Sequence, residues 1–408
     1  MATATGRTRV VFAAHAFPRH EDDLAGSFLL RLALALGREA VEVEAVAPAA
    51  PGLAARDRLR GVAVRRYRYA ARRAETLAYT GTMHTRATSP GGALALAGLL
   101  AAGTVALRRA AGGADLVHAH WWFPGGVQAL AARRRPLVTT MHGTDVRLAR
   151  SRPAAQAVCA RVLRASAVVT TVSAWLRDQA AEFAPESADR IRVAPMPVDE
   201  TLFSPGGGPR TELLFVGRLD GQKGAGLALR ALAGLRGPAA ELPLRLVGSG
   251  PLEPDLRRLA KELGVADRLH WESNLPQQAL ADRYRRAAAL LVPGSQEGLG
   301  LVAVEGQLSG APVIAAASGG LLDVVDDGSS GWTFPPGEPS ALARVIEEVA
   351  EHPARAAERA AAGRRAAAER FSPHAAARTY AALYAEALAS AEVPARSRRL
   401  RARPARER

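Results

Sequence analysis

Short, densely apolar runs recur along this chain, with longer stretches between them in which apolar residues return at helical spacing. In the first half the strand-like runs are RVVFAAH (Arg9 to His15), AVEVEAVAP (Ala40 to Pro48), VAVRRYRY (Val62 to Tyr69), DLVHAH (Asp115 to His120), PLVTTMHG (Pro136 to Gly143), SAVVTTVS (Ser166 to Ser173) and IRVAP (Ile191 to Pro195). Helical stretches such as Leu24 to Arg38 and Ala174 to Glu182 separate most of them. The segment MPVDETLFSPGGGPR, rich in Pro and Gly, reads as a linker. The rhythm then restarts with TELLFVGRL (Thr211 to Leu219), LPLRLVGSG (Leu242 to Gly250), RLHWES (Arg268 to Ser273), ALLVPGS (Ala289 to Ser295) and APVIAAA (Ala311 to Ala317). Alternation of apolar strands with helices predicts α/β architecture, with parallel sheets covered on both faces. Two such series predict two doubly wound domains facing each other. Ligand sites are then expected just after the strand ends, in the cleft between the domains.

A length of 408 residues agrees with two domains, and 48% hydrophobic with 23% charged residues is the balance of a soluble globular protein. The single cysteine, Cys159, excludes an intramolecular disulfide and points to a reducing, cytoplasmic setting. The N-terminus MATATGRTRVVFAAHAF enters a strand-like run directly, so no secretory signal is expected. The run Gly91 to Leu107 is short for a membrane span and dominated by Ala and Gly. It reads as a helix packed tightly on a sheet, and no transmembrane segment is expected. Net charge is +15, of which +6 lies in the tail RSRRLRARPARER, with seven Arg against one Glu. That tail reads as a solvated, disordered terminus, and peripheral membrane contact stays open. No aromatic interleaving or nucleic-acid-binding motif accompanies it, so no nucleic-acid partner is expected. The remaining excess of charge suits a protein that handles anionic small molecules.

Two stretches carry candidate chemistry. In LLFVGRLDGQKG a strand end is followed by Gly217, Gly221 and Gly224 on a turn that bears Arg218 and Lys223 and opens a helix. Two cations at a helix start make an anion site, whereas a solvated basic loop would carry the same residues. In PGSQEGLGLVAVEGQLSGAPVIAAASGG the residues from Leu299 on are almost entirely small or apolar, with Glu305 the one carboxylate among them, and Glu297 stands just ahead of them. A buried carboxylate without a partner is costly, so the protein or a ligand must supply one. Gly298 and Gly300 allow a ligand to approach the backbone, and the helix start near Gly300 and Leu301 offers free N–H groups. Glu305 can accept hydrogen bonds from ribose hydroxyls and Glu297 from those of a sugar. A salt bridge to one of the many arginines is the plainer reading for either acid alone. The pair, eight positions apart around two glycines, favours the ligand.

With Arg218 and Lys223 upstream, this spacing resembles the retaining GT-B glycosyltransferases of family 4, the glycosyl transferase group 1 family. The resemblance rests on Gly217–Arg218–Leu219, Lys223–Gly224, Glu297 to Glu305, GAPVIAAASGG (Gly310 to Gly320) and VVDDGSSGW (Val324 to Trp332). In the first half AGSFLLRLALALGREAVEVEAVAP, DLVHAHWWFPGG, VTTMHGTDV and VVTTVSAWL agree, so that residues 9 to 385 are covered. The resemblance implies an N-terminal acceptor-binding domain over residues 1–197, a linker over 198–210 and a nucleotide-sugar domain over 211–368. A helix over 369–390 would cross back onto the first domain, leaving a basic tail over 391–408.

By the same resemblance, Arg218 and Lys223 hold the donor's pyrophosphate, with Gly217, Gly298 and the backbone at Gly300 and Leu301 around it. Glu305 holds the ribose and Glu297 the transferred sugar. His142 of HGTD faces the anomeric centre and the sugar's 6-position, and Gly26 and Asp145 lie on the acceptor or phosphate side. His118 and His120 read as structural or acceptor-shaping. Three departures stand out: Leu299 replaces the usual aromatic, Ala25 the first glycine of a Gly-Gly, and PMPVD the usual NGVD.

Asp22 with Asp23, and Asp326 with Asp327, have no His or Cys at ligand spacing, and the cations suffice for a leaving diphosphate. No metal and no cofactor are expected; the partners are a nucleotide sugar and a small-molecule or glycan acceptor. VGSGPLEPD lacks the third glycine of a dinucleotide fingerprint, Glu253 standing in its place. The expected reaction is retaining hexosyl or N-acetylhexosaminyl transfer from a UDP-linked donor to a secondary-metabolite aminocyclitol or another small polyol. Arg72, Arg73, Tyr79, Trp121 and Trp122 are expected to help choose the acceptor. A cell-envelope lipid or polysaccharide transferase using GDP-mannose or a UDP-sugar is the alternative. A nucleotide-sugar 2-epimerase and an idle nucleotide-binding module on the same fold stand behind it.

Overall fold

The computed structural model describes residues 6–21, 23–79, 83–132 and 134–392. They form two compact units. Among the described residues, the first draws on those within 6–171, 177–194 and 376–392, the second on Val172–Leu176 and Pro195–Ala375.

The first unit runs β1 (Thr8–Ala13), α1 (Ser27–Leu36), β2 (Val41–Pro48), β3 (Arg56–Leu59), β4 (Val62–Tyr67), α2 (Met83–Arg86), α3 (Pro90–Ala110) and β5 (Leu116–His120). It continues with α4 (Val127–Ala132), β6 (Leu137–Met141), α5 (Thr144–Ser151), α6 (Pro153–Ala165), β7 (Val168–Thr171), α7 (Ala174–Phe183) and β8 (Ile191–Val193). Its sheet has the order β3-β4-β2-β1-β5-β6-β7-β8, parallel except for β3 against β4. The central strands β5 (LVHAH) and β6 (LVTTM) are buried at every position, as expected of parallel strands covered on both faces. Strand β3 (RDRL) was not foreseen, because a short polar edge strand carries no apolar run.

The second unit runs β9 (Glu212–Val216), α8 (Ala225–Ala233), β10 (Leu244–Val247), α9 (Glu253–Glu262), β11 (Leu269–Glu272), α10 (Gln277–Arg286) and β12 (Ala287–Val292). It ends with α11 (Leu301–Leu308), β13 (Val313–Ala316), β14 (Trp332–Phe334), α12 (Pro339–Glu351) and α13 (Pro353–Phe371). The sheet is parallel throughout in the order β11-β10-β9-β12-β13-β14. The segment read as a linker is packed into this unit. Phe203 is fully buried against Tyr284, and the Arg285 guanidinium donates to the carbonyls of Leu202 and Ser204.

The last helix, α14 (Pro373–Glu392), joins the first unit from Ala376 onward. Tyr380 and Tyr384 are fully buried there. The Tyr380 hydroxyl donates to the Ala194 carbonyl (2.9 Å), and that of Tyr384 meets His118 Nδ1 (2.8 Å). Burying each ring contributes on the order of 2 kcal/mol. The basic tail expected beyond it lies outside the described residues from 393 on.

Helix α3 meets the expectation of tight packing on one face only. Ala95, Leu99, Gly103, Ala106 and Leu107 are buried, and a side chain at Gly98 would stand 2.1 Å from the Tyr69 carbonyl oxygen. On the opposite face Leu94 is 77% exposed and Val105 48%. Among the described residues this is the single helix long and apolar enough to cross a membrane, by length and composition alone.

Candidate active site

Two loops in the second unit carry most of the residues singled out from the sequence. The first follows β9. Gly217 and Leu219 donate their N–H groups to the carbonyls of Val247 and Ser249, each at 3.0 Å. The backbone there is so close that side chains at Gly248 and Gly250 would stand 2.0 and 2.3 Å from the carbonyl oxygens of Gly217 and Leu219. The glycines of VGSGPLEPD therefore serve a backbone contact that shapes the Arg218 turn. The Asp220 carboxylate accepts the N–H groups of Gln222 and Lys223 (3.1 Å each) and pairs with Arg218 Nε (2.6 Å). Burial pushes the Asp220 carboxyl up, but Arg218 and the two backbone donors outweigh it and hold it below its ordinary range. Gly224, at φ +73°, ends the turn and opens α8.

The second loop follows β12 and abuts the first, with the Ser295 N–H on the Gln222 carbonyl (3.1 Å). Glu297 is buried, and its Oε1 accepts a 2.7 Å hydrogen bond from Lys223 Nζ. The Gly319–Gly320 pair leaves room for this loop. The Gly320 N–H donates to the Glu297 carbonyl (2.8 Å), and a side chain at Gly320 would stand 2.2 Å from the Gly298 carbonyl oxygen. Gly300, at φ +88°, caps α11, whose first N–H groups beginning at Leu301 have no partner within the helix. Glu305, half-buried one turn on, accepts a 2.8 Å hydrogen bond from the hydroxyl of Tyr284. Burial, reinforced by that carboxylate, raises the phenol far above its ordinary value, so it stays a donor. Tyr284 sits on α10, eight residues after a proline-turn boundary, and nothing in the local sequence pointed to it. The structure thus gives each acid a protein partner: Lys223 for Glu297 and Tyr284 for Glu305.

In the first unit the candidates gather after β1, β5 and β6. His142 follows β6, half-buried, with its Nε2 3.3 Å from Nδ1 of His120. The ring of Trp121 lies 4.5 Å from that of His142 and 4.3 Å from that of His15, and Phe28 lies 5.3 Å from His142. Trp121 has φ +67°, a conformation that a non-glycine residue adopts only when its surroundings impose it. Burial lowers His15 to about 4 and His142 to about 3, and holds His118 and His120 well below the ordinary value. The imidazoles are therefore neutral near pH 7. His118 is structural: its two ring nitrogens meet Tyr384 and Thr140. His120, by contrast, reaches the candidate residue itself.

Asp145 and Gly26 act on the backbone. Asp145 is 3% exposed, and its Oδ1 accepts the N–H groups of His142, Gly143 and Val146, fixing the HGTD turn. Burial outweighs those donors and pushes its carboxyl up to about 6. Gly26, at φ +75°, opens α1, and a side chain there would lie 1.6 Å from the Ala16 carbonyl oxygen. Trp122 is buried with its Nε1 on the Asp145 carbonyl, while Tyr79 bridges Arg66 and the Pro48 carbonyl. Arg72 and Arg73 are exposed.

The acid pairs considered for metal are otherwise engaged where they are described. Asp23 pairs with Arg19 (2.6 Å) and Asp327 accepts from the Thr333 N–H (2.8 Å), while Asp326 binds the Ser329 hydroxyl. Asp22 lies outside the described residues.

Residues 204–368 match the Glycosyl transferases group 1 family and residues 25–202 Glycosyltransferase Family 4. D-inositol 3-phosphate glycosyltransferase 1 of Catenulispora acidiphila is 36% identical over 282 residues, 62% of this chain and 68% of that one. D-inositol 3-phosphate glycosyltransferase of Acidothermus cellulolyticus is 35% identical over 262 residues, 57% of this chain and 58% of that one. Among solved structures, sucrose-phosphate synthase from Thermosynechococcus elongatus superposes with a TM-score of 0.78 at 22% identity, covering 94% of this chain and 100% of that one. That likeness is one of fold, the GT-B combination of two Rossmann-like domains. On these matches and on its own site residues, the chain belongs to the group 1 glycosyl transferases, within glycosyltransferase family 4.

Proposed function

We propose that this protein transfers a hexosyl or N-acetylhexosaminyl group from a nucleoside diphosphate sugar, UDP-linked, to a hydroxyl of a small polyol, with retention at the anomeric carbon. The observation that carries the reading is the 2.7 Å pair of Lys223 and Glu297, set where two glycine turns meet at two helix starts. A diphosphate arriving there takes the charge of Lys223 and Arg218 together with the N–H groups at Gly300 and Leu301. Glu297 is then free to accept from the hydroxyls of the sugar, and Glu305, oriented by Tyr284, from those of the ribose. His142, neutral, can offer a hydrogen bond rather than a charge. These cations and dipoles stabilise the departing diphosphate, so the chemistry needs no metal. The acceptor attacks from the face the diphosphate leaves, and the leaving phosphate takes its proton. Relatives named for D-inositol 3-phosphate make a phosphorylated cyclitol the leading acceptor. A lone buried Cys159 suits a cytoplasmic enzyme.

One observation favours a second reading. The exposed apolar face of α3, with Leu94 77% exposed, would suit an acceptor held at a membrane surface, as in cell-envelope lipid glycosylation.

The test is thermal stabilisation by UDP, GDP, ADP and their sugar conjugates in the presence of a chelator. A ligand at a hundredfold excess over its dissociation constant stabilises by about 2.7 kcal/mol. Stabilisation by one nucleotide family supports the reading and names the base. No shift with any of them sinks it.

A further inference from the structure

The second unit has a cavity of about 650 Å³ that none of the donor-site residues touches. It opens at the opposite end of the same strands. Leu213, Ala288 and Pro312 line it at the starts of β9, β12 and β13, whereas the donor loops follow the ends of β9 and β12. The five residues of β9 put roughly 16 Å between the two strand ends. The volume lies within the range of small-molecule sites.

Its walls are aliphatic, with Leu242 and Val349 among them and Ala357 and Ala361 exposed along α13. They include no aromatic ring on which a nucleobase could stack. The polar contribution is cationic. Arg210, Arg364 and Arg365 all line the cavity, and none of the three has a carboxylate partner among the described residues. Arg210 is half-buried and donates to the carbonyls of Tyr284, Ala287 and Ser309 (3.2, 3.0 and 3.4 Å). Burial lowers its pKa, as expected of a charge that only dipoles compensate. Arg364 and Arg365 are both exposed on α13 and have no side-chain hydrogen bond or ion pair among the described residues.

We propose that this cavity is a second binding site, separate from the donor site, for an aliphatic anion: a hydrocarbon body against the alanine and leucine walls and a carboxylate or phosphate head at the arginines. Charge excludes the chain's own tail as occupant, because residues 396–408 carry seven arginines against one glutamate.

Isothermal titration calorimetry of the full chain tests the assignment with decanoate, decyl phosphate, decanol, acetate and inorganic phosphate as probes. The expected result is saturable binding of decanoate or decyl phosphate, the tighter of the two naming the head group, with decanol and the two small anions at least tenfold weaker. The paired substitution Arg364→Gln and Arg365→Gln, on an exposed helix face, should weaken the aliphatic anion about tenfold. Ala357→Trp should abolish binding by filling the cavity, while the thermal shift with nucleotides stays unchanged in both variants and confirms the fold. Decanol binding as tightly as decanoate, binding unaltered in both variants, or no saturable heat from either aliphatic anion would overturn the proposal. None of these outcomes bears on the donor site, which the nucleotide shifts report separately.

Discussion

Mild acid is the perturbation that most directly tests the buried histidines of the first unit. His118 and His120 are fully buried and held well below the ordinary imidazole value of 6.5. Folded, they stay neutral; unfolded, they take up protons below about pH 6.5, so stability falls as the pH drops through that value. Asp145 works in the opposite direction. Its folded carboxyl titrates at about 6 and its unfolded one at 3.8, so the folded state gains a proton first and is favoured by acid in that window. At about pH 5.5 each buried imidazole takes up about 0.9 proton on unfolding and Asp145 gives up about three quarters of one. The net uptake from these three groups is about one proton, or ~1.5 kcal/mol per pH unit. Burial holds His15 and His142 at about 4 and 3, so they stay neutral at this pH as well, and with them the uptake rises to about three protons. Urea unfolding free energies between about pH 7 and 5.5 read the slope directly. Asp145→Asn should steepen it by about three quarters of a proton, because the opposing group is gone. A wild-type stability that is flat or rising towards acid over this window would refute the reasoning.

The proposed donor site offers two further checks. Glu305→Gln should weaken nucleotide binding about tenfold, because charge-assisted hydrogen bonds become neutral ones, whereas Glu297→Gln should spare nucleotide binding and lower turnover. Titration calorimetry and initial rates separate the two, and unaltered turnover in Glu297→Gln would remove the role given to that residue. Gly320→Ala forces a methyl to within 2.2 Å of the Gly298 carbonyl oxygen, so the Glu297 loop must move. The expected cost is ~2 kcal/mol of stability together with weaker donor binding, measured by thermal melting with and without nucleotide. Melting and binding like wild type would show that the loop is not held as described.

Much of the candidate site could be read along the chain because its parts are local. Lys223 and Gly224 belong to one turn, and Glu297, Gly300 and Glu305 to one loop and helix, so spacing alone exposes their relation. The partners that hold these residues are distant in sequence. Lys223 reaches Glu297 across 74 positions because β9 and β12 lie side by side, and Tyr284 reaches Glu305 across 21 because α10 packs against α11. The glycines of VGSGPLEPD resembled a worn nucleotide motif. In the structure they are the surface against which the Arg218 turn rests. His120 was one more histidine in a buried strand until β5 and β6 set it beside His142.

The sequence by itself determined the two α/β series, the strands at their centres and the positions of the glycine turns. Apolar periodicity and local backbone freedom are properties of neighbouring residues, and the chain displays them directly. Only the tertiary structure decided that β3 and β14 extend the sheets, that the linker packs into the second unit, and that α3 leaves one apolar face uncovered. It also decided which buried polar groups satisfy one another. Those outcomes depend on contacts between segments far apart in sequence, where burial cost and hydrogen-bond geometry, rather than local preference, select the partner.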